Sequence, residues 1–265
     1  MKYINHRATN PKENLSKLVQ EAGDVFNVAQ AAAILKLNKT AAAKRLARWT
    51  EQGWLRRVAQ GVYVPAGLDT LFCDQVIADP WVLPPALFAP CYIGGRTAAE
   101  YWDLTEQIFN DIVVITTQQV RKKRPSHQGV TFSLKHIKDC KLFGTRTIWR
   151  ENSQVLISDP HKTMIDMLDD PAIGGGIQHV ADCLKIYLDR PDRCDDLLMD
   201  YAKRVNNGAV FKRLGFLLEN KTGTGSLQTL CAQRLTQGNA KLDPGIAHGK
   251  IVSRWHLVVP QTWLC

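Results

Sequence analysis

One stretch of the chain, Asn27 to Pro65, constrains the fold more than any other; it reads NVAQAAAILKLNKTAAAKRLARWTEQGWLRRVAQGVYVP. Asn27 with Gln30 three residues on is a helix start of the capping-box kind, and Val28, Ala31, Ala32 and Leu35 recur on one helical face. Asn38 stands where a second N-cap belongs, and helical periodicity then runs from Lys39 to Gln52, where Gly53 supplies a natural stop. At about 100° per residue, Ala42, Leu46 and Trp49 fall on the inward side of this second helix. The outward side carries Thr40, Lys44, Ala47 and Arg48, with Ala41 and Ala43 on the flanks and Lys39 and Arg45 adding charge. After Gly53, Trp54–Val58 and Gly61–Val64 are β-branched and aromatic around Ala59-Gln60-Gly61, which predicts a hairpin with Arg56 and Arg57 on opposite faces. Helix, turn, cationic helix and basic hairpin in that order are the parts of a winged helix-turn-helix.

Charge concentrates in the same region. The chain has 265 residues and a formal net charge of +9. Residues 1–66 hold a net +7, and the remaining 199 residues only +2. A polyanionic partner is therefore implied for the first quarter. In a major groove the slim alanine-rich face would bring Lys44 and Arg48 to phosphate or guanine, and Thr40, Ala43 and Ala47 to base edges. The wing residues Arg56, Arg57 and Gln60 would lie along backbone or minor groove. Lys39 and Arg45 complete the set of candidate DNA contacts.

Upstream, Asn10 as N-cap, Pro11 at the first helical position and Glu13 two residues later predict one more helix, with Leu15, Leu18, Val19 and Ala22 buried. Downstream, Pro65-Ala66-Gly67 marks the expected boundary between a DNA-binding domain, residues 1–66, and a larger mixed α/β domain, residues 67–265. The fold class expected is thus α+β. Within the larger domain the patterns predict a helix over 68–78, a Pro-broken passage to Pro90, a Gly94-Gly95 turn, a helix over 97–101 and a buried strand over 111–116. Strands follow at 129–134, 146–150 and 154–158, then helices at 160–169, 177–189, 193–206 and 209–220, and a strand over 255–259. The acids Asp166, Asp169 and Asp170 share one helix end, where solvent is expected to screen them. Arg121-Lys122-Lys123-Arg124-Pro125 is the basic cluster outside the winged helix, expected as a solvated hairpin loop or, alternatively, an auxiliary phosphate contact.

Chemistry was sought in the same residues. Gly245 to Ile251 resembles a phosphate loop but is one residue short between its glycines and has Ile where Ser or Thr must reach a metal. Six histidines from His127 to His256 are scattered without metal-ligand spacing, and the seven cysteines, an odd number, contain no CxxC. No catalytic residue, metal or cofactor is expected, and the absence of a signal-like N-terminus and of a spanning apolar run fits a cytoplasmic protein.

The winged-helix run ending in GVYVP, the DPWVLPPALFAPCYIGGRTAAEYWDLTEQIF block, the SDPHKTMIDMLDDPAIGGGIQHVADCL block and the FKRLGFLLE segment together resemble the AbiEi family of antitoxins, from bacterial type IV toxin–antitoxin or abortive infection systems. The resemblance implies a transcriptional repressor that binds inverted repeats in double-stranded DNA at its own promoter. It also implies a C-terminal domain countering a nucleotidyltransferase toxin without a tight complex, in a protein that is a monomer or associates weakly and cooperatively on DNA. The toxin's own Gly-Ser and Asp-x-Asp signature is not matched: Gly225-Ser226 has no such acidic pair after it. The competing expectation is a nucleic-acid-processing enzyme that docks through its winged helix, and a third is a regulator sensing a small ligand through a pocket that sequence does not reveal.

Overall fold

The computed structural model describes residues 10–66, 79–150, 152–222, 225–245 and 247–264. The chain forms two compact units, Met1–Ala89 with Ser126–Val130 and Thr147–Val155, and Pro90–Pro125 with Thr131–Arg146 and Leu156–Cys265. The helix expected over 68–78 lies outside the described residues.

The first unit begins with three helices, α1 (Pro11–Ala22), α2 (Val28–Ile34) and α3 (Lys39–Glu51). Their starts follow from their caps. The Asn10 side chain accepts from the Lys12 N–H, Asn27 and Gln30 close a reciprocal capping box, and Asn38 accepts from the Ala41 N–H at 2.8 Å. Leu18, Ala31, Leu46 and Trp49 then close one core with Phe26, Leu55 and Tyr63. The wing has one strand more than the hairpin expected from sequence. Strand β1 (Phe26–Asn27) pairs antiparallel with β3 (Val62–Pro65), which pairs with β2 (Leu55–Ala59), giving the order β1-β3-β2. Two residues are too short to announce a strand by alternation, but Phe26 is fully buried and its backbone must be paired. This unit is a winged helix-turn-helix.

The Pro-broken passage turns out to be helical. A 3-10 turn at Pro80–Val82 leads into α4 (Leu83–Phe88), whose Pro84 and Pro85 occupy the first turn, where no backbone N–H is needed. Segments beyond residue 66 bond to the winged helix within the same unit. Asn27 Nδ2 donates to the Ala86 carbonyl at 3.1 Å, Asn152 N donates to Asp24 at 3.2 Å, and Gln128 Nε2 donates to the Val58 carbonyl at 3.1 Å.

A six-stranded sheet has the order β6-β7-β5-β4-β9-β8, formed by β4 (Cys91–Ile93), β5 (Asp111–Thr116), β6 (Ser126–His127), β7 (Val130–His136), β8 (Thr145–Arg150) and β9 (Ser153–Ser158). Strand β5 is buried along its whole length, antiparallel to β4 and parallel to β7, which explains its unbroken apolar run DIVVIT. Between β4 and β5 runs α5 (Gly95–Tyr101). It starts two residues earlier than its periodicity suggests, at Gly95, where only glycine fits: φ is +56° and a Cβ would meet the Ile173 carbonyl oxygen at 2.6 Å.

The second unit continues with α6 (Pro160–Asp169), α7 (Ile177–Leu188), α8 (Asp195–Val205), α9 (Gly208–Thr222) and α10 (Ser226–Ala232), followed by a small sheet of β10 (Ala240–Lys241), β11 (Lys250–Val252) and β12 (Leu257–Val259) in the order β10-β12-β11. Helix α6 is central, with every residue from Pro160 to Leu168 buried. The strand expected over 255–259 begins only at Leu257. Trp255 ends a 3-10 turn and His256 takes φ +50°, so that the indole packs on Gly215, where a Cβ would lie 2.0 Å from its ring.

Solvent does not screen the acids at the end of α6. Asp166 is buried with Lys162 as its ion-pair partner and accepts from Tyr92 Oη at 2.9 Å. Asp169 accepts from Lys135 Nζ and from Asn207 Nδ2, both at 2.8 Å. Burial pushes the Asp169 carboxyl up, but the charge and hydrogen bonds of Lys135 and the Asn207 amide more than offset it and hold the group below the usual carboxylate range.

Candidate nucleic-acid interface

Helix α3 exposes Lys39, Thr40, Lys44, Ala47 and Arg48 and leaves Ala43 and Arg45 half-buried. The inward set Ala42, Leu46 and Trp49 is buried as its spacing requires. Four cations of this helix, Lys39, Lys44, Arg45 and Arg48, have no ion-pair or hydrogen-bond partner among the described residues. Arg96, Lys135, Lys162, Arg190, Arg193 and Arg254 in the second unit all sit within 4 Å of a carboxylate.

The structure divides the candidate residues into groups. Lys44, Arg45 and Arg48 line a groove of about 410 Å³ whose opposite wall is formed by Pro11 and Asn14 at the start of α1. Gln52, one turn beyond Arg48, extends the same stripe and was not among the residues singled out from sequence. Only packing α1 beside α3 reveals it, since Gln52 is the C-cap residue and has no charge to draw attention. Lys39, Thr40, Ala43 and Ala47 do not line the groove. On the wing, Arg57 and Gln60 are exposed and Arg56 is half-buried. Arg57 donates from Nε to the Ala59 carbonyl at 3.2 Å, across a register shift between Arg57 and Ala59 that bends the strand. Gly61, at φ +74°, closes the turn.

With that geometry in place, the chain was compared with known proteins. Residues 13–66 match the family AbiEi_4, described as transcriptional regulator, AbiEi antitoxin. The match spans α1 through β3, about a fifth of the chain, and takes in every candidate contact residue of α3 and the wing. No curated protein matches the chain. Among solved structures, the chain is similar to the crystal structure of RV2827C protein from Mycobacterium tuberculosis, with a TM-score of 0.55 and 16% identity over 94% of this chain and 91% of that one. At that identity the likeness speaks for the fold alone. It does so over both units, whereas the AbiEi match concerns only the first.

The second unit was searched for chemistry of its own. Among the described residues no group of three His, Cys, Asp or Glu side chains is placed to hold a metal ion, and no helix is long and apolar enough to cross a membrane. Cys183 Sγ lies 3.7 Å from His179 Nε2, the pairing that a thiol nucleophile would need. Burial pushes this thiol up to about 12, and the imidazole is already engaged by the Gly174 carbonyl at 2.5 Å and Thr105 Oγ1 at 2.9 Å. The thiol is therefore protonated and inert at neutral pH. The loop that resembles a phosphate loop runs into β11 at Lys250, so no helix N-terminus follows its glycines. The basic cluster Arg121–Arg124 is an exposed loop, as a solvated segment should be. The Lys123 and Pro125 carbonyls accept from the Leu134 and Phe132 N–H groups at 2.8 and 2.9 Å, which ties the bent segment to β7.

Proposed function

We propose that this protein is a sequence-specific DNA-binding regulator that represses its own operon and serves as the antitoxin to a nucleotidyltransferase toxin encoded beside it. The observation that carries the reading is the set of unpartnered cations on α3 within a segment matching the AbiEi regulator family. Cations left without an internal partner are suited to an external polyanion, and their placement on a slim, alanine-rich helix suits a major groove. In this reading Lys44, Arg45 and Arg48 hold the phosphate backbone along the groove beside α1. Thr40, Ala43 and Ala47 meet base edges, Lys39 contacts backbone at the helix start, and Arg56, Arg57 and Gln60 on the wing follow the adjacent backbone or minor groove. The operator is an inverted repeat, bound by monomers that associate weakly on the DNA. DNA contact belongs to residues 1–66 and antitoxicity to residues 67–265, in the cytoplasm, by binding and without catalysis or a tight toxin complex.

The test has two arms. In a gel-shift assay the purified protein should retard its own upstream region and not the same fragment with one repeat scrambled. In cells, the protein expressed from an external inducer should restore growth when the neighbouring toxin is expressed. Equal retardation of both fragments would overturn the operator reading, and failure of rescue by protein that still shifts DNA would overturn the antitoxin reading.

A further inference from the structure

The second unit holds a concave site that the regulator reading leaves unused. A cavity of about 650 Å³ opens between Arg96 at the start of α5, the loop containing Lys123 and Arg124, and strand β7. That volume lies in the range of small-molecule sites.

Its walls are fixed. Arg96 donates to both oxygens of Asp111 at 2.6 Å and to the Ala172 carbonyl at 3.2 Å. Lys135 sits 2.8 Å from Asp169 and 3.3 Å from Asp170. His136 donates from Nδ1 to the Gln118 carbonyl at 2.9 Å, and backbone bonds from β7 pin Lys123 and Pro125. The charges of Arg96 and Lys135 are thus neutralised within the protein. Two cations are left over. Lys123 has no partner among the described residues. Arg124 is 70% exposed and only within 3.7 Å of Asp111, a carboxylate already engaged by Arg96 and Ser133. Val120, Leu134 and Ile173 provide an apolar wall beside them.

Uncommitted positive charge on one rim and a rigid apolar wall on another suit an anion with an apolar ring attached. The geometry points to a binding site for a phosphorylated small molecule of the nucleotide class, its phosphates on Lys123 and Arg124 and its base against Leu134 and Ile173. A duplex backbone would engage the two cations but leave the apolar wall without a partner. The site shares no residue with α3 or the wing, so it stands or falls apart from the DNA-binding reading.

The experiment is isothermal titration calorimetry of the full-length protein with ATP, GTP, CTP and UTP. Adenosine and pyrophosphate serve as the separate halves, and a non-operator duplex as competitor. At least one nucleotide should bind with a stoichiometry of one and more tightly than either half. A Lys123→Ala, Arg124→Ala double variant should lose about tenfold or more in affinity, which is 1.4 kcal/mol, while its melting curve and its operator gel shift stay as in the wild type. Three results would overturn the proposal. They are no heat with any of the four nucleotides, wild-type nucleotide affinity in the double variant, and pyrophosphate binding as tight as the nucleotide's with displacement by the duplex. The last would mark a backbone contact for DNA instead.

Discussion

Replacing Lys44 and Arg48 by Ala, singly and together, perturbs the proposed interface where the structure is most explicit. Both side chains are exposed, neither has a partner among the described residues, and both line the groove beside α1. Their removal breaks no internal bond, so fold stability should stay within about 0.5 kcal/mol of the wild type. The effect on DNA then depends on what each residue touches. A phosphate contact contributes about 0.9 to the slope of log affinity against log salt, so losing two lowers the slope by about 1.8. Over a fourfold rise in salt the wild type should lose about 12-fold more affinity than the double variant, equally on operator and random DNA. A base contact would instead cost roughly 1–3 kcal/mol on the operator alone and relax preference at one position. Fluorescence anisotropy titrations at several salt concentrations, on operator and scrambled duplexes, separate the two. Unchanged affinity and slope in the double variant at low salt would refute the placement of α3 against DNA.

Joint replacement of Arg56, Arg57 and Gln60 by Ala should weaken binding while leaving the base preference set by α3 in place, as selection from a randomised operator library would show; loss of that preference would remove the wing assignment. Acid sensitivity should centre on the second unit. Asp111, Asp159 and Asp169 each have a folded-state value below the ordinary 3.8, because hydrogen bonds and neighbouring charges more than offset the burial that pushes them up. Their contribution is therefore complete above the unfolded value and lost as pH falls through the lower folded values. Urea midpoints measured from pH 5 downward should drop below about pH 4, and Asp169→Asn should be less stable at neutral pH with a shallower fall; a flat profile would show that these pairs contribute nothing.

What could be read from the sequence was local. The caps at Asn10, Asn27 and Asn38 have short-range partners, so α1, α2 and α3 appear at their expected places. The buried stripe Ala42, Leu46 and Trp49 follows from a period of 3.6 residues, and the run at 111–116 from unbroken burial on both faces. What escaped was set by partners distant in sequence. Strand β1 exists because Phe26–Asn27 meets Val62–Tyr63, and α4 because its prolines fall in a first turn and not an interior one. The acids of α6 looked like a solvated end because Lys135 and Asn207, their partners, are more than thirty residues away. The same holds for the site. Its cations were visible as charge, but the groove that joins Lys44, Arg45 and Arg48 to Pro11, Asn14 and Gln52 depends on how α1 packs beside α3.

The distribution of partners gives the net charges of +7 and +2 a physical meaning. In the second unit the buried cations are used internally: Arg213 donates to the carbonyls of Leu168, Asp169, Lys241 and Leu242, and Lys162 sits between Phe143 and Tyr92 with Asp166 as counter-ion. Such groups hold elements in register, and a buried pair of this kind is costly to break from one side. Along α3 the opposite holds, because four cations on one short helix repel each other in the free protein and gain only on meeting an anion. A structural role explains the first arrangement, and the second is the one suited to an external polyanion. In the second unit's cavity, Lys123, without a partner among the described residues, and Arg124, held only at 3.7 Å from an Asp111 already engaged by Arg96, repeat this logic of α3 over a concave surface with an apolar wall and not along a helix. A partner of the same sign but smaller size follows from that difference in shape, which is why the two sites should answer to different ligands and to different substitutions.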